Sequence, residues 1–370
     1  MKQTLFNNVF LPLSLFVISL TTQGQDTASV HYEKAFQTLE AMLVEKEPAT
    51  FKKAVLTAEN AYFDSGLDTA YFNQQLNILV RLTRAFIEAH REGFIYKGGD
   101  REKVLIYAGV YKVMTDTLPI ILELGDTVYH LPFHYDFEDI AGHFNWTKMF
   151  VSKLVSSHTG NCHSLPYLYK ILVEELGVKT HLALAPNHVY IKHRSQELGM
   201  YNTELTSGSF PIDAWLMASG YVHLDAIRNR LYMEALSDQQ SIALCLVDLA
   251  QGYQHKYGMG DGQFILKCCE TALKYYPNYI NALLLKTDVL RTHWEALAQE
   301  RNEASTKQEQ EELTDTVLTA FNNMQELVGK IHDLGYRRMP DAMYLDWLNT
   351  LKTERDKYEN PKINATFNNQ

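Results

Sequence analysis

From Ser29 to Ala89 apolar residues recur three and four apart: Phe36, Leu39 and Leu43, then Phe51, Ala54 and Ala58, then Leu76, Leu79, Leu82 and Phe86. That period puts one apolar stripe on each helix. Pro48 and the cluster Asp64-Ser65-Gly66 punctuate the run, and Gly98-Gly99-Asp100 breaks it again. A further helix is predicted from Arg101 to Asp116, followed by extended segments between Ile120 and Leu131.

The pattern changes at Val155. A polar turn, Ser156 to Asn161, precedes Cys162, and a helix follows to Leu176 with Leu165, Leu168, Ile171 and Leu172 on its apolar face. Pro166 falls in the first turns, where a missing N–H does least harm, and Gly177 supplies the stop. Three strands are predicted next: His181 to Ala185, His188 to Lys192 and Met200 to Leu205, with Gln196 to Gly199 as the turn between the last two. Helix followed by three strands is an α+β unit with an antiparallel sheet. From Asp238 the pattern is helical again. Glu300 to Thr314 reads as a solvated helix or a long loop, Gly335 to Pro340 as a turn, and Ala342 to Lys357 as a last helix. The polar tail from Asn360 is expected to be loose.

Charge narrows the partners. The formal net charge is -10 and no basic run occurs, which excludes a general nucleic-acid binder. Residues 1–24 read as a signal peptide: Lys2, then the apolar run Val9 to Leu20, then the small residues Thr22 and Gly24. The expected protein is therefore exported, periplasmic or secreted. No later segment is long and apolar enough to cross a membrane, so no membrane span is expected after cleavage. The four cysteines, Cys162, Cys245, Cys268 and Cys269, do not form a disulfide framework or a zinc spacing. Cys245, Cys268 and Cys269 sit in apolar helical patterns and read as core. Cys162 alone sits in a polar turn.

A cysteine at a helix start feels the positive end of the helix dipole and free backbone N–H groups, which favour thiolate and can hold an oxyanion. Gly160 is expected to allow an unusual backbone and leave room for a substrate. His188 can take the thiol proton and return it to a leaving amine. Glu204 lies 16 residues on and shares a strand face with Asn202, and either could orient the imidazole. Taken singly, a lone Cys is more often core and a lone strand His merely hydrogen-bonded. The set in order, on a helix and three strands, is what carries weight.

Gly160-Asn161-Cys162, Asn187-His188-Val189-Tyr190 and Asn202-Thr203-Glu204-Leu205-Thr206 together resemble the transglutaminase-like superfamily, whose core relates to papain-like cysteine proteases. The resemblance covers roughly Val155 to Ala218. It implies Cys162 as nucleophile, His188 as base and Glu204 as the acidic member. His-Val-Tyr replaces the usual His-Ala-Trp, and Glu204 stands where Asp is usual. Leu249, Gly252 and Tyr253 with Ala272, Tyr276 and Pro277 resemble a tetratricopeptide (TPR) repeat, one full copy with parts of others.

The crowd His130, His134, Asp136, Glu138, Asp139 and His143 could hold a metal, but no ligand pattern appears and a solvated or cleft-lining loop is the reading preferred. Phe144 and Trp146 are expected to pack near the main site. Asn145 and Asn364 are formal glycosylation acceptors. The expected architecture is a signal peptide (1–24), an N-terminal helical region (25–150), a transglutaminase-like α+β core (151–235), a TPR-like helical region (236–358) and a polar tail (359–370). The expected activity is thiol-dependent amide hydrolysis or acyl transfer on a peptide or protein, through Cys162, His188 and Glu204, with no cofactor or metal. The alternative is a catalytically inactive scaffold that binds a protein partner through the same cleft or its C-terminal repeats.

Overall fold

Four helices open the structure, a computed structural model that describes residues 22–368: α1 (Thr22–Leu43), α2 (Phe51–Tyr62), α3 (Thr69–His90) and α4 (Arg101–Thr115). The expected signal peptide lies outside the described residues except for its last three. A hairpin follows, β1 (Leu118–Ile121) with β2 (Thr127–His130), then the short strand β3 (His134–Tyr135). After α5 (Val151–Ser157), strand β4 (Thr159–Gly160) runs parallel to β3 and leads into α6 (Ser164–Glu175). Strands β5 (His181–Ala185), β6 (His188–Ser195) and β7 (Gly199–Thr203) form an antiparallel sheet in that order. The short helices α7 (Asp213–Ser219) and α8 (Leu224–Arg228) lead to α9 (Asp238–Tyr257), α10 (Gln263–Tyr275), α11 (Ile280–Glu303) and α12 (Lys307–Asp333). The chain ends with α13 (Asp341–Thr353), α14 (Arg355–Tyr358) and α15 (Pro361–Asn368). This is a mixed α+β protein, mostly helical, with small sheets.

Local chemistry explains the boundaries. Thr50 Oγ1 accepts from Lys53 N at 3.2 Å to start α2. Ser237 with Gln240, and Thr306 with Glu309, form reciprocal capping boxes at the starts of α9 and α12. The charged stretch around Glu300 to Thr314 is thus two helices with a break at residues 304–306. β6 is the central strand and is covered on both faces, so even Lys192 and His193 are buried. His193 is satisfied by Thr180 Oγ1 at 2.9 Å and the Tyr169 hydroxyl at 3.0 Å, and burial holds its imidazole well below the usual range.

One continuous apolar core joins α1 and α2, the face of α6, the sheet and α9 to α11. The N-terminal helices therefore pack on the C-terminal ones, with α2 and α1 against α9. A second apolar cluster links Cys162, Ala183, Ala185, Tyr190 and Leu216 to Met339, Tyr344 and Trp347 at the end of the chain. The tail expected to be loose is instead the helix α15. Ile363 and Phe367, four residues apart, are fully buried, and Phe367 packs on Tyr111, Tyr201 and Phe210. Two well-placed apolar side chains outweigh polar neighbours that stay in water. Among the described residues no helix is long and apolar enough to cross a membrane.

Candidate active site

Two elements bring the thiol to its place. Gly160 on β4 pairs with Tyr135 on β3, and Asp136 N donates to Gly160 O at 2.7 Å. Asn161 then caps the helix: its Oδ1 accepts from His163 N at 3.0 Å and Ser164 N at 3.2 Å, and its carbonyl accepts from Leu165 N at 3.1 Å. By that geometry Cys162 is the first residue of the helix, although regular helix is assigned from Ser164. The expected free N–H groups are thus partly used by Asn161. The Cys162 N–H is engaged by no acceptor among the described residues. Gly160 does not adopt a positive φ. It is needed because a Cβ there would run into Ser164 Oγ and Leu154, so its smallness serves packing rather than a substrate.

His188 opens β6 directly after the two-residue turn Pro186-Asn187, with Asn187 at φ 55°. Asn tolerates this left-handed conformation better than most residues, so the tight turn delivers His188 at the strand head. Ile191 pairs with Thr203. Continuing the register sets Glu204 opposite Tyr190, on one face with His188 and diagonal to it. His188 Nε2 meets Glu204 Oε2 at 2.5 Å, and both side chains are almost fully buried. A carboxylate can only accept, so Nε2 carries the proton and Nδ1 is left facing the thiol side. Asn202 is committed elsewhere, with its Nδ2 on Pro211 O at 2.9 Å and Asp213 Oδ1 at 2.8 Å. Glu204, not Asn202, therefore orients the imidazole. Its other oxygen, Oε1, accepts from Thr206 N at 2.8 Å.

The three groups act on one another. Burial pushes the His188 imidazole down, but the Glu204 charge and the neighbouring Cys162 outweigh it and lift it to about 10. Burial likewise pushes the Cys162 thiol up, and hydrogen bonding and charge from His188 outweigh that too, so the thiol is held below its ordinary range. The Asn187 carbonyl, 3.6 Å from Sγ, accepts from the neutral thiol and repels a thiolate. The lowered thiol means that the imidazolium wins. In Cys245, Cys268 and Cys269, by contrast, burial pushes the thiols up.

Two tyrosines complete the site. The Tyr344 hydroxyl, from α13, lies 3.0 Å from His188 Nδ1, and the Tyr344 ring packs in one apolar cluster with Cys162. The Trp347 ring meets the His188 ring edge-on at 4.8 Å. With these in place Cys162 is only 8% exposed. The Tyr135 hydroxyl is buried beside Cys162 without a well-formed hydrogen bond. Nothing local marked either tyrosine in the sequence. Behind the thiol, His163 bonds Met149 O at 2.9 Å and Asp248 Oδ1 at 3.0 Å, and Tyr167 bonds Asp248 Oδ2 at 3.0 Å.

The acidic and histidine-rich stretch before the site serves structure. Asp136 pairs with Lys148 at 2.6 Å, and Asp139 accepts from Phe144 N and Asn145 N. Among the described residues no group of His, Cys, Asp and Glu is arranged to hold a metal ion. Phe144 is 90% exposed, whereas Trp146 stacks on His255 and lines a small cavity with Met149 and His163 behind the thiol. No family model, curated protein or solved structure matches the chain.

Proposed function

We propose that this protein is an exported, transglutaminase-like thiol enzyme that hydrolyses, or transfers the acyl group of, an amide in a peptide or protein. One observation supports the reading above all. A buried imidazole is charge-paired with Glu204 through Nε2 while its Nδ1 side faces a thiol whose pKa is depressed. Structural cysteines lack such a partner; nucleophilic ones need it. In the proposed reaction Cys162 Sγ, as thiolate, attacks the amide carbon, and the carbonyl oxygen becomes an oxyanion. The Cys162 N–H and the Tyr135 hydroxyl are the donors available to that oxygen. His188 gives its proton to the leaving nitrogen, the C–N bond breaks, and a thioester remains. Water, losing a proton to His188, then releases the acid and the thiol; an amine in place of water gives a new amide. Nothing at the site favours an amine, so hydrolysis is the reading adopted. The TPR-like helices α9 to α12 would present the substrate or a partner protein.

The second reading is a binding protein that keeps the cleft without the chemistry. The Tyr344 ring over Cys162 favours it. Turnover of a peptide library separates the two. It is read by mass spectrometry in a Tyr344→Ala background, with and without Cys162→Ala. The catalytic reading expects loss of about 10³-fold or more when the thiol is removed. Equal turnover with and without Cys162, or none in either protein, would leave the binding reading.

A further inference from the structure

The element covering the thiol comes from the far end of the chain. α13 begins after an extended stretch, with Pro340 at its N-terminus and Arg337 and Arg338 exposed before it. Among the described residues its hydrogen bonds to the body run through two side chains. Tyr344 bonds His188 Nδ1 at 3.0 Å, and Trp347 Nε1 donates to Ser219 Oγ at 2.9 Å. The turn before it adds one more bond, Asn187 Nδ2 to Met339 O at 3.0 Å. Among the described residues α13 itself takes part in no strand pairing; the chain is tied to the body again beyond it, by the bridge between Pro211 and Glu359. Its inner face is Tyr344, Trp347, Leu348 and Leu351, and its outer residues, such as Leu345 and Asp346, are in water.

The position of Tyr344 is that of a reactant. His188 Nδ1 is the nitrogen left free by Glu204, so it must receive the thiol proton and hand it on. The Tyr344 oxygen occupies that nitrogen, and its ring packs in one cluster with Cys162. A leaving amide nitrogen would have to stand in the same place. Around it, Ala183, Ala185, Tyr190 and Leu216 form an apolar cradle that now accommodates the rings of α13. Small side chains beside aromatic ones make a recess fitted to a ring.

We propose that α13 stands in the place of substrate, so that the protein as folded is latent, and that the peptide the uncovered cleft takes carries an aromatic side chain. This inference rests on the catalytic reading of Cys162. Its test needs no turnover.

The rate of Cys162 alkylation by iodoacetamide at pH 6 is measured by peptide mapping, in the full-length protein and in a variant carrying Tyr344→Ala with Trp347→Ala. Cys245 and Cys268, fully buried in the helical core, report global unfolding in the same sample. The variant is expected to label at Cys162 at least tenfold faster than the natural chain, with Cys245 and Cys268 still silent. A synthetic peptide of residues 341–353, added in excess, is expected to slow that labelling again. The same peptide lacking both rings is expected to leave it unchanged.

Natural chain and variant labelling at one rate would overturn the latent state. Equal protection by the ring-less peptide would overturn the aromatic preference. Should the double variant expose Cys245, Trp347→Phe decides. It keeps a ring and drops the bond to Ser219, and faster labelling at Cys162 alone supports the proposal, whereas no change overturns it. Faster labelling without any peptide turnover leaves α13 as a cover and removes the enzyme reading instead.

Discussion

Glu204 is the residue on which the chemistry turns. It is a buried carboxylate, with one oxygen on His188 and the other on the Thr206 amide. Glu204→Gln keeps the shape and removes the charge. The imidazole then loses the strongest influence lifting it, and the thiol loses the charged partner that holds it down. Each unit that the thiol rises costs tenfold in thiolate. The expected outcome, in a Tyr344→Ala background, is Cys162 alkylation at pH 6 slowed by about tenfold or more, with the labelling profile shifted to higher pH. An unchanged profile would mean that Glu204 only packs. The trio could be picked out in the sequence because each member sits at a marked place: a polar turn before a helix, a strand head and an alternating strand face. Tyr344 could not, because 156 residues separate it from His188 and its helix reads like any other amphipathic one.

Among the elements, the join of β4 and α6 carries the geometry. Gly160 lies where Ser164 and Leu154 close on the backbone, immediately before the residue that caps α6. Gly160→Ala must push β4 or α6 aside, and overpacking of this kind costs about 1–3 kcal/mol. A lowered urea midpoint with an unchanged slope is the expected result. In the Tyr344→Ala background the pH 6 labelling of Cys162 should also fall, since the first turn carries the thiol. The strands β5 to β7 were readable from alternation and turn residues, and the helix of α6 from its apolar face. The helix α15 was misread, because a polar composition hid the pair Ile363 and Phe367. The crowded backbone at Gly160 was also out of reach, since sequence shows that a residue is small but not which neighbours require it.

Across the whole molecule, buried charges behind Cys162 join the N-terminal, central and C-terminal helices. Glu59 of α2 accepts from Val151 N at 2.6 Å and Ser152 N at 3.0 Å at the start of α5, and His163 reaches across to Asp248 of α9. Burial lifts the Glu59 carboxyl to about 7 against the pull of those amides. His163, pushed down by burial, is lifted more strongly by Asp248, to about 9. Both folded values lie above the unfolded ones, so both contributions are full at low pH and are lost as pH rises. Glu59 acts between about 4.5 and 7 and His163 between about 6.5 and 9. His188 is raised as well and adds to the decline, while the lowered Cys162 thiol acts in the opposite sense. Thermal stability should therefore decline from about pH 6.5 to pH 9; below that range the buried His193, held well below its usual range, acts against Glu59. Glu59→Gln should remove a contribution that falls between about 4.5 and 7 and amounts to something on the order of 3 kcal/mol, so the variant's stability should rise more steeply than the natural chain's over that range. A stability that rises from about pH 6.5 to pH 9 would refute the assignment. None of this was legible beforehand, because Glu59, His163 and Asp248 lie in three separate stretches and meet only in the packed core.

Chain growth is directional, and that gives the α13 cover a timing. Glu204 precedes Tyr344 by 140 residues. At ribosomal speeds of about 5–20 residues per second, the cysteine, the histidine and the glutamate exist roughly 7–28 s before the helix that lies over them. A thiolate formed in that interval would have no phenol above it. The newborn chain, not the finished one, is then the form most open to oxidants, alkylators and its own neighbours.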